Sequence, residues 1–253
     1  RGPAAWSLAP TLAQADASQL NLTLISRCTI SDVEVTHQLK LDPDQSVLCL
    51  SVSIGNLSDE TALFIDNCAM TLPLPDHLSE LEEVTGRWAY EFQTERRSIG
   101  RAAYVRENWT GRSSHNMNPT LTLLEKATST THGDALGVHL GWSGNHQMRI
   151  ESLADGRRML QAGELLRPGE IALAPGAHYT SPSLYLCHSS AGQNGLTRQW
   201  HQMIRREFIA SQNPVSTRRP VQLNTWEALY FGVDEPSVLA LMDQAATLGI
   251  ERF

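Results

Sequence analysis

The chain has 253 residues, of which 41% are hydrophobic, and this is enough for one large domain or for a domain with part of a second. Lys and Arg number 20 against 27 Asp and Glu, which gives a formal net charge of −7 without a basic stripe, so nucleic acid is not an expected partner. No apolar run approaches the ~18 residues that a membrane-spanning helix needs, and we expect no membrane partner.

Most of the chain carries the pattern of β-strands. From about residue 20 to 190, apolar side chains recur at every second position, and turn residues interrupt them at short intervals. Strands are predicted within residues 20–26, 33–41, 46–56, 61–72, 87–99, 135–153 and 178–189. So many short strands without amphipathic helices between them predict a large antiparallel β-sandwich. Residues 72–86 are predicted to form a loop with at most a short helix.

The period changes near residue 195. Apolar residues then follow one face of a helix of about three to four turns: Leu196, Trp200, Met203, Ile204 and Phe208. The polar stretch that follows contains two prolines and indicates a domain boundary. We therefore predict a sandwich domain at 1–195, a helix and linker at 196–217, and the start of another domain at 218–253.

The last segment predicts a strand, a helix and a second strand. Residues 220–226 suit a short strand, and Asp234 or Glu235 can cap a helix in which Pro236 takes the first position. The predicted buried face of this helix consists of Val238, Leu241, Met242, Ala245 and Leu248. Gly249 suits the left-handed position after a helix, and the last four residues, ending at Phe253, predict the opening of a buried apolar strand. The two strands of such a βαβ unit are parallel neighbours, and a lone unit cannot cover both faces of its sheet, so we expect the chain to be cut early in a larger α/β domain.

Trp226 is the first candidate for a binding residue. In parallel sheets with helical crossovers, ligands gather at the carboxyl ends of the strands, and Trp226 lies at that end of the first strand. Asn224 and Glu227 are close by in sequence. The residues alone equally allow an aromatic side chain that packs under a loop.

Several stretches resemble a known family. RPVQLNTWEALYF and LMDQAATLGIERF resemble the start of the catalytic barrel in the α-galactosidases of glycoside hydrolase family 36. Upstream, LPLPDHLSELEEVTGRWAYEF, GRSSHNMNPTLTL, GVHLGWSGNHQMRIE and LRPGEIALAPGAHYTSPSLYL resemble, in the same order, segments of its N-terminal β-supersandwich, a domain similar to galactose mutarotase. The resemblance covers residues 25–253. It implies a mainly β fold, with a large antiparallel β-supersandwich followed by a helix and the first βαβ unit of a truncated (β/α)8 barrel.

The resemblance also implies an activity. Family members are retaining hydrolases of terminal α-linked galactose in oligosaccharides such as melibiose and raffinose, and retention uses two carboxylates about 5 Å apart. In the family, both are Asp residues on later barrel strands, so the nucleophile and the general acid are expected to lie beyond Phe253 and the chain alone is expected to be inactive. Only the Trp of the NTWEA motif carries over as a sugar-contacting residue, and it corresponds to Trp226, where an indole can stack on the apolar face of galactose. A homotetramer is the assembly that the resemblance implies.

Two alternatives stay open. The chain could be a non-catalytic carbohydrate-binding or oligomer-assembly module, which Trp88, Trp109 and Trp142 side by side on one sheet face would favour. The parent protein could instead transfer galactose to a sugar, as in raffinose or stachyose synthesis, because retaining chemistry allows a sugar to replace water.

Two polar loops are weaker candidates. Residues 142–146 include Trp142 and His146 in a Gly-rich turn, and residues 111–119 place His115 beside two asparagines. For both loops the structural interpretation is favoured, in which the polar groups satisfy one another. Arg112 is predicted to anchor its loop to a carboxylate such as Glu107.

No metal or cofactor is expected. The four cysteines, Cys28, Cys49, Cys68 and Cys187, show no metal-ligand spacing and are expected to be reduced core thiols. The nine histidines show no metal-binding pair on one helix face. The chain starts without a Met and without a signal-peptide pattern, which favours a cytoplasmic protein that lacks its first residues.

Overall fold

The computed structural model describes residues 8, 10–42, 44, 46–209 and 219–253, and β-strands dominate them. The strands are β1 (Thr11–Ala17), β2 (Asn21–Cys28), β3 (Val33–Asp42), β4 (Val47–Asn56), β5 (Leu63–Ile65), β6 (Cys68–Leu74), β7 (Leu78–Arg87), β8 (Tyr90–Ser98), β9 (Tyr104–Asn108), β10 (Thr120–Glu125), β11 (Ala135–Leu140), β12 (His146–Ser152), β13 (Arg158–Glu164), β14 (Ile171–Leu173), β15 (His178–Thr180) and β16 (Leu184–Ser189). The helices are α1 (Gly192–Met203), α2 (Trp226–Leu229) and α3 (Glu235–Thr247), and a π-helical stretch spans Ile204–Ile209.

The strands form an antiparallel β-sandwich, as the sequence predicts. The ten-stranded sheet has the order β1-β2-β3-β4-β16-β11-β10-β7-β8, with β15 also paired to β4. The four-stranded sheet has the order β6-β13-β12-β9, and β14 pairs with β5. Strands β1, β2 and β3 each pair with the next strand in sequence. Strand β16, which comes much later in the chain, pairs with the other edge of β4.

The main core lies between the two larger sheets. In β4, Leu50, Val52 and Ile54 are buried while their neighbours are less so, which confirms the predicted alternation. They belong to one apolar cluster with Met148 and Leu160 of the four-stranded sheet. This apolar interior, rather than the exposed edge strands, therefore carries most of the hydrophobic stabilisation.

Strand β7 corrects the predicted loop at 72–86. Leu78 and Leu81 are buried, but they are three residues apart, because the pairing of β7 with β10 shifts register near Leu78. The side chain of Glu83 is also buried. A charged residue at a buried position interrupts the alternation of apolar and polar residues by which a strand is recognised in a sequence. The prediction was wrong because the partners of Glu83 lie on other strands and cannot be seen in the local pattern.

Helix α1 covers part of the other face of the large sheet. Leu196 and Met203 are buried against Leu124, Ala135 and Cys187 in a second apolar cluster. The predicted helical stripe ends there, since Ile204 and Phe208 are exposed in the π-helical stretch. The chain divides into two compact units, residues 1–203 and 204–253. Most of the predicted linker, residues 210–217, lies outside the described residues.

The second unit contains the predicted strand–helix–strand arrangement. Gln222 and Arg252 form a parallel bridge on the two sides of α3. Asp234 is the N-cap of α3 and accepts a hydrogen bond of 2.9 Å from the backbone N–H of Ser237. Pro236 is the second helical residue rather than the first, and Gly249 adopts the predicted positive φ of 75°.

The predicted buried face of α3 is only partly buried. Ala245 is buried, and Val238 and Leu241 are half-buried. Met242 and Leu248 are exposed, so the prediction was wrong for these two residues.

The second strand of this unit differs from the prediction at its last residue. Arg252 forms the parallel bridge, but Phe253 lies outside the bridge and its side chain is 42% exposed. The prediction of a buried strand was therefore wrong at Phe253. The physical reason is that one parallel pair of strands with one helix cannot cover both faces of its sheet.

The four cysteines form no disulfide, and Cys28, Cys68 and Cys187 are buried. Burial raises the pKa of Cys68 to about 11 and that of Cys187 to about 12. Across the described residues, the structure gathers no group of three His, Cys, Asp or Glu side chains able to hold a metal ion. No helix in this part of the chain has both the length and the apolar composition to cross a bilayer.

Candidate functional site

Trp226 opens a short helix directly after the first strand of the second unit. The strand is held to its parallel partner by hydrogen bonds from Leu223 N–H to the Arg252 carbonyl and from Arg252 N–H to the Val221 carbonyl, at 3.0 and 3.1 Å. Asn224 then turns the chain, because its Oδ1 accepts a hydrogen bond of 2.8 Å from the Trp226 N–H. Trp226 is therefore the first residue of α2 rather than the last of a strand.

Three aromatic rings meet at this turn. The ring of Phe231 lies edge-on to the indole of Trp226, with centroids 5.1 Å apart and an interplanar angle of 86°. Tyr230 contacts the same indole at 5.6 Å and 66°. Such edge-to-face contacts are attractive beyond the apolar area that they bury. Trp226, Tyr230 and Phe231 are called the aromatic cluster below.

The aromatic cluster is open to solvent. Trp226 is 48% exposed and Phe231 is 91% exposed. Tyr230 has a φ of +47°, a conformation that bulky residues rarely adopt, and its N–H donates to the Trp226 carbonyl at 2.8 Å. The backbone of α2 thus holds the two later rings against the indole.

The aromatic cluster can bind a ligand by stacking. Indole and phenyl rings offer a flat apolar surface, and Asn224 provides an amide close to it. Neither ring of Trp226 or Phe231 supplies a proton for acid–base catalysis. Tyr230 and Phe231 were not predicted from the sequence, because they follow the end of α2 at Leu229 and their placement depends on the unusual backbone of Tyr230.

The two polar loops of the first unit pack on each other. The Gly111 N–H donates to Asn145 Oδ1 at 2.8 Å, and the Ser113 N–H donates to the carbonyl of Ser143. Asn108 donates from Nδ2 to the Arg112 carbonyl at 2.7 Å. These contacts within and between the loops agree with the structural interpretation.

His146 and Glu107 have structural partners in this region. His146 is buried with its Nδ1 2.9 Å from the Gly144 carbonyl, and burial lowers its pKa below the usual 6.5, helped by the charge of Arg106. Glu107 is bonded to Trp109 and Gln147. The predicted Arg112–Glu107 anchor was therefore wrong.

A buried ion pair ties the two large sheets together. Glu83 of β7 lies 3.3 Å from Arg106 of β9, and their side chains are only 6% and 5% exposed. The Tyr104 hydroxyl donates to Glu83 at 2.7 Å, and Arg97 of β8 is a further partner. Arg106 also donates to the carbonyls of Val84 and Asn116, so the pair positions the loop that contains His115.

Trp88, Trp109 and Trp142 lie beside the ends of strands in two different sheets. Trp88 lies in the turn between β7 and β8 of the large sheet, and Trp142 follows β11 of the same sheet. Trp109 follows β9 of the four-stranded sheet. These three residues are therefore attached to strands of two different sheets, and the loops that follow Trp109 and Trp142 contact each other.

Comparison with known families matches almost the whole chain. The model of the glycosyl hydrolase family 36 N-terminal domain matches residues 2–174. The model of melibiase matches residues 178–253. The chain belongs to glycosyl hydrolase family 36.

Curated relatives of this family 36 chain are α-galactosidases. The α-galactosidase of Escherichia coli is 39% identical over 232 residues, which are 92% of this chain and 32% of the relative. Alpha-galactosidase 1 of Pediococcus pentosaceus is 29% identical over 95% of this chain and 32% of its own length. The chain therefore spans about a third of the length of the curated relatives it matches.

Solved structures of α-galactosidases have the same fold. The enzyme from Lactobacillus brevis superimposes with a TM-score of 0.84 at 27% identity, covering 96% of this chain and 34% of that one. An α-galactosidase variant from Geobacillus stearothermophilus, solved in complex with stachyose, gives a TM-score of 0.81 at 25% identity and covers 99% of this chain and 35% of that one. The β-sandwich and the following unit thus belong to a family 36 architecture.

Proposed function

We infer that this chain is part of a retaining α-galactosidase that removes terminal α-linked galactose from oligosaccharides of the melibiose and raffinose type. The observation that carries the proposal is the match of two consecutive family models together with 39% identity to the E. coli α-galactosidase. Because the chain spans about a third of that relative, the activity is proposed for the whole protein.

Trp226 is proposed to bind the galactose ring. Its indole is half-exposed, its orientation is fixed by Tyr230 and Phe231, and it follows directly on a parallel strand. The C–H face of a pyranose suits such a surface, and polar groups beside it can bind the hydroxyls. Tyr230 and Phe231 are proposed to position the indole. The complex of the Geobacillus relative with stachyose supports an α-galactosyl oligosaccharide as the ligand.

Two proteins test whether the 253-residue chain hydrolyses α-galactosides by itself. The product of the whole coding frame and the 253-residue chain are assayed side by side on an aryl α-galactoside. We expect hydrolysis only by a longer product, because retention needs two carboxylates and we propose that both lie on barrel strands after residue 253. Hydrolysis by the 253-residue chain alone would contradict this assignment.

The role of Trp226 is tested in the active protein by Trp226→Ala and Trp226→Phe. Loss of a stacked aromatic ring costs about 1 kcal/mol, so we expect the KM for raffinose to rise roughly fivefold in Trp226→Ala and less in Trp226→Phe. The matched control is Trp88→Ala, which removes an exposed indole from the first unit. A KM change in the control as large as in Trp226→Ala would refute the assignment.

Product analysis separates hydrolysis from galactosyl transfer. With raffinose as the substrate, free galactose and sucrose support the hydrolase, whereas stachyose, formed when galactose is transferred to a second raffinose and sucrose is released, supports the transferase alternative. We further propose that the whole protein is a cytoplasmic homotetramer, which light scattering of the purified protein and fractionation of cells test directly.

A further inference from the structure

The four-stranded sheet has a polar outer face. Side chains alternate along a strand, and Met148 and Ile150 of β12 are buried in the core. Gln147, Arg149 and Glu151 of the same strand therefore point to the opposite side, where they are only half-buried. These three side chains are the centre of a surface that the sandwich itself does not cover.

The neighbouring strands extend this surface in register. Arg149 stands opposite Gln161 of β13, and Gln161 stands opposite Thr71 of β6, to which its Nε2 donates at 3.3 Å. The next row places Gln147 opposite Glu107 of β9. Four strands at 4.7–4.9 Å spacing make a face about 14 Å wide, which is the span of a short oligosaccharide. The outer face is defined here by these residues, Glu151 and Trp109.

Trp109 closes one end of the outer face in a fixed orientation. Its Nε1 donates to Glu107 Oε2 at 2.8 Å, and the other oxygen of Glu107 accepts from Gln147 Nε2. The guanidinium of Arg167 lies 5.6 Å from the centre of the indole. The half-exposed indole is therefore oriented before any ligand arrives, which lowers the entropic cost of binding.

The row of Gln147 has no large side chain on the next two strands. Gly163 of β13 pairs with Gln147 on one side and with Ala69 of β6 on the other. Gly163 is itself buried, so the partly accessible side chains of this row that can bind a hydroxyl group are those of Gln147 and Glu107.

The groups on the outer face suit a neutral polyol. Two carboxylates, Glu107 and Glu151, balance two guanidinium groups, Arg149 and Arg167, so the face has no net charge that would select a polyanion. Arg149 pairs with Glu151 at 2.9 Å through one terminal nitrogen, whereas its Nε is buried and has no hydrogen-bond partner within the described residues. The core of a protein–protein interface is depleted in charged residues, which argues against a protein partner here.

We propose that the outer face of the four-stranded sheet is a second saccharide-binding site, which takes a neutral oligosaccharide with one pyranose stacked on Trp109. The amides of Gln147 and Gln161 and the guanidinium of Arg149 hydrogen-bond its hydroxyls. The site lies in a different unit from Trp226 and requires no catalysis. It would hold an oligosaccharide independently of the galactose that the aromatic cluster is proposed to bind.

The proposal is tested by titrating the 253-residue chain with stachyose and following isothermal heat and backbone NMR shifts. The titration is performed in the Trp226→Ala background, so that the proposed galactose site cannot contribute. Solvent-exposed sugar sites of this kind are weak, and we expect a Kd of about 1–10 mM. Trp109→Ala should weaken binding at least about tenfold, which corresponds to about 1.4 kcal/mol. NMR shifts should be confined to β12, β13 and the residues around Trp109.

Controls decide the outcome. Trp88→Ala removes an indole that is 82% exposed on the other sheet and should leave the Kd unchanged. Gln161→Ala disturbs no buried group and should weaken binding several-fold, which keeps the test valid if Trp109→Ala fails to fold. Absence of binding in the Trp226→Ala background, equal Kd values for Trp109→Ala and Trp88→Ala, or tighter binding of dextran sulfate than of stachyose would each overturn the proposal. None of these results depends on α-galactosidase activity. The proposal of a second saccharide site and the proposed α-galactosidase function can therefore be refuted independently of each other.

Discussion

The buried pair of Glu83 and Arg106 allows a prediction whose size follows from its surroundings. The substitution Arg106→Met keeps an unbranched side chain in place of the arginine methylenes but removes the guanidinium, and with it the pair at 3.3 Å and two hydrogen bonds, to the Val84 carbonyl at 2.6 Å and to the Asn116 carbonyl at 3.3 Å. Removing one partner of a buried pair costs about 3–5 kcal/mol, because the other charge stays buried. Arg97 still neutralises Glu83, so we expect about 3 kcal/mol, the lower end of this range.

The assay is urea and thermal unfolding of the chain, followed by circular dichroism. For a unit of this size, about 3 kcal/mol lowers the Tm by roughly 6–12 °C. Arg97→Met is the matched control, since Arg97 bonds to the same Glu83 but is 48% exposed, and exposed pairs contribute about 0–1 kcal/mol. The double variant Glu83→Leu with Arg106→Met replaces the pair by apolar groups and should recover most of the loss.

Two results would refute the reasoning on this pair. A cost of Arg106→Met no larger than that of Arg97→Met would mean that burial does not set the energy of the interaction. A double variant as unstable as Arg106→Met alone would mean that lost packing, rather than an unpaired carboxylate, explains the effect.

Three further predictions concern a glycine, a helix cap and a histidine. Gly137→Ala should destabilise the first unit by about 1–3 kcal/mol, because the new Cβ would lie 2.8 Å from Trp200 Nε1, and urea unfolding measures this. Asp234→Ala should cost α3 about 1 kcal/mol through the lost cap, which amide hydrogen exchange in α3 measures. Burial lowers the pKa of His146 below 6.5 in the folded chain, so the unfolded chain binds a proton at this residue first as the pH falls. The contribution of neutral His146 to the free energy of unfolding is therefore complete above pH 6.5 and is lost as the pH falls below 6.5. His146→Gln should therefore flatten the fall in unfolding free energy between about pH 7.5 and 5.

Each of these predictions has its own control. Gly100→Ala introduces a Cβ with no heavy atom within 4 Å and should be nearly neutral, so an equal loss there would argue against a steric clash at Gly137. Asp243→Ala alters an exposed carboxylate within α3 and should not speed exchange in the first turn, unlike Asp234→Ala. A pH dependence that persists undiminished in His146→Gln would assign the titration to His139, whose pKa burial also lowers.

Much of the candidate site was predictable because its signals are local. The cap formed by Asp234 and the positive φ of Gly249 depend on residues within a few positions of each other, whereas the turn at Asn224 was not predicted, because residues 220–226 were expected to form one strand. The resemblance at the NTWEA motif identified Trp226 for the same reason. The contacts of Phe231 and Tyr230 with the indole were not predicted, since they depend on how α2 ends and on the unusual backbone of Tyr230.

The sequence by itself determined that β2, β3 and β4 are strands, the alternation of β4, the amphipathic helix after residue 195, the final strand–helix–strand unit and the family. Each of these properties is carried by the period of neighbouring residues or by motifs in order along the chain. Only the tertiary structure decided that residues 78–87 form a strand, that Arg106 neutralises Glu83, and that Trp88 and Trp142 follow strands of a different sheet from Trp109. The physical reason is that the partners of a buried charge, and the neighbours of a surface side chain, lie on strands that are distant in sequence. The packing of the whole core selects the pairing register that brings these strands together.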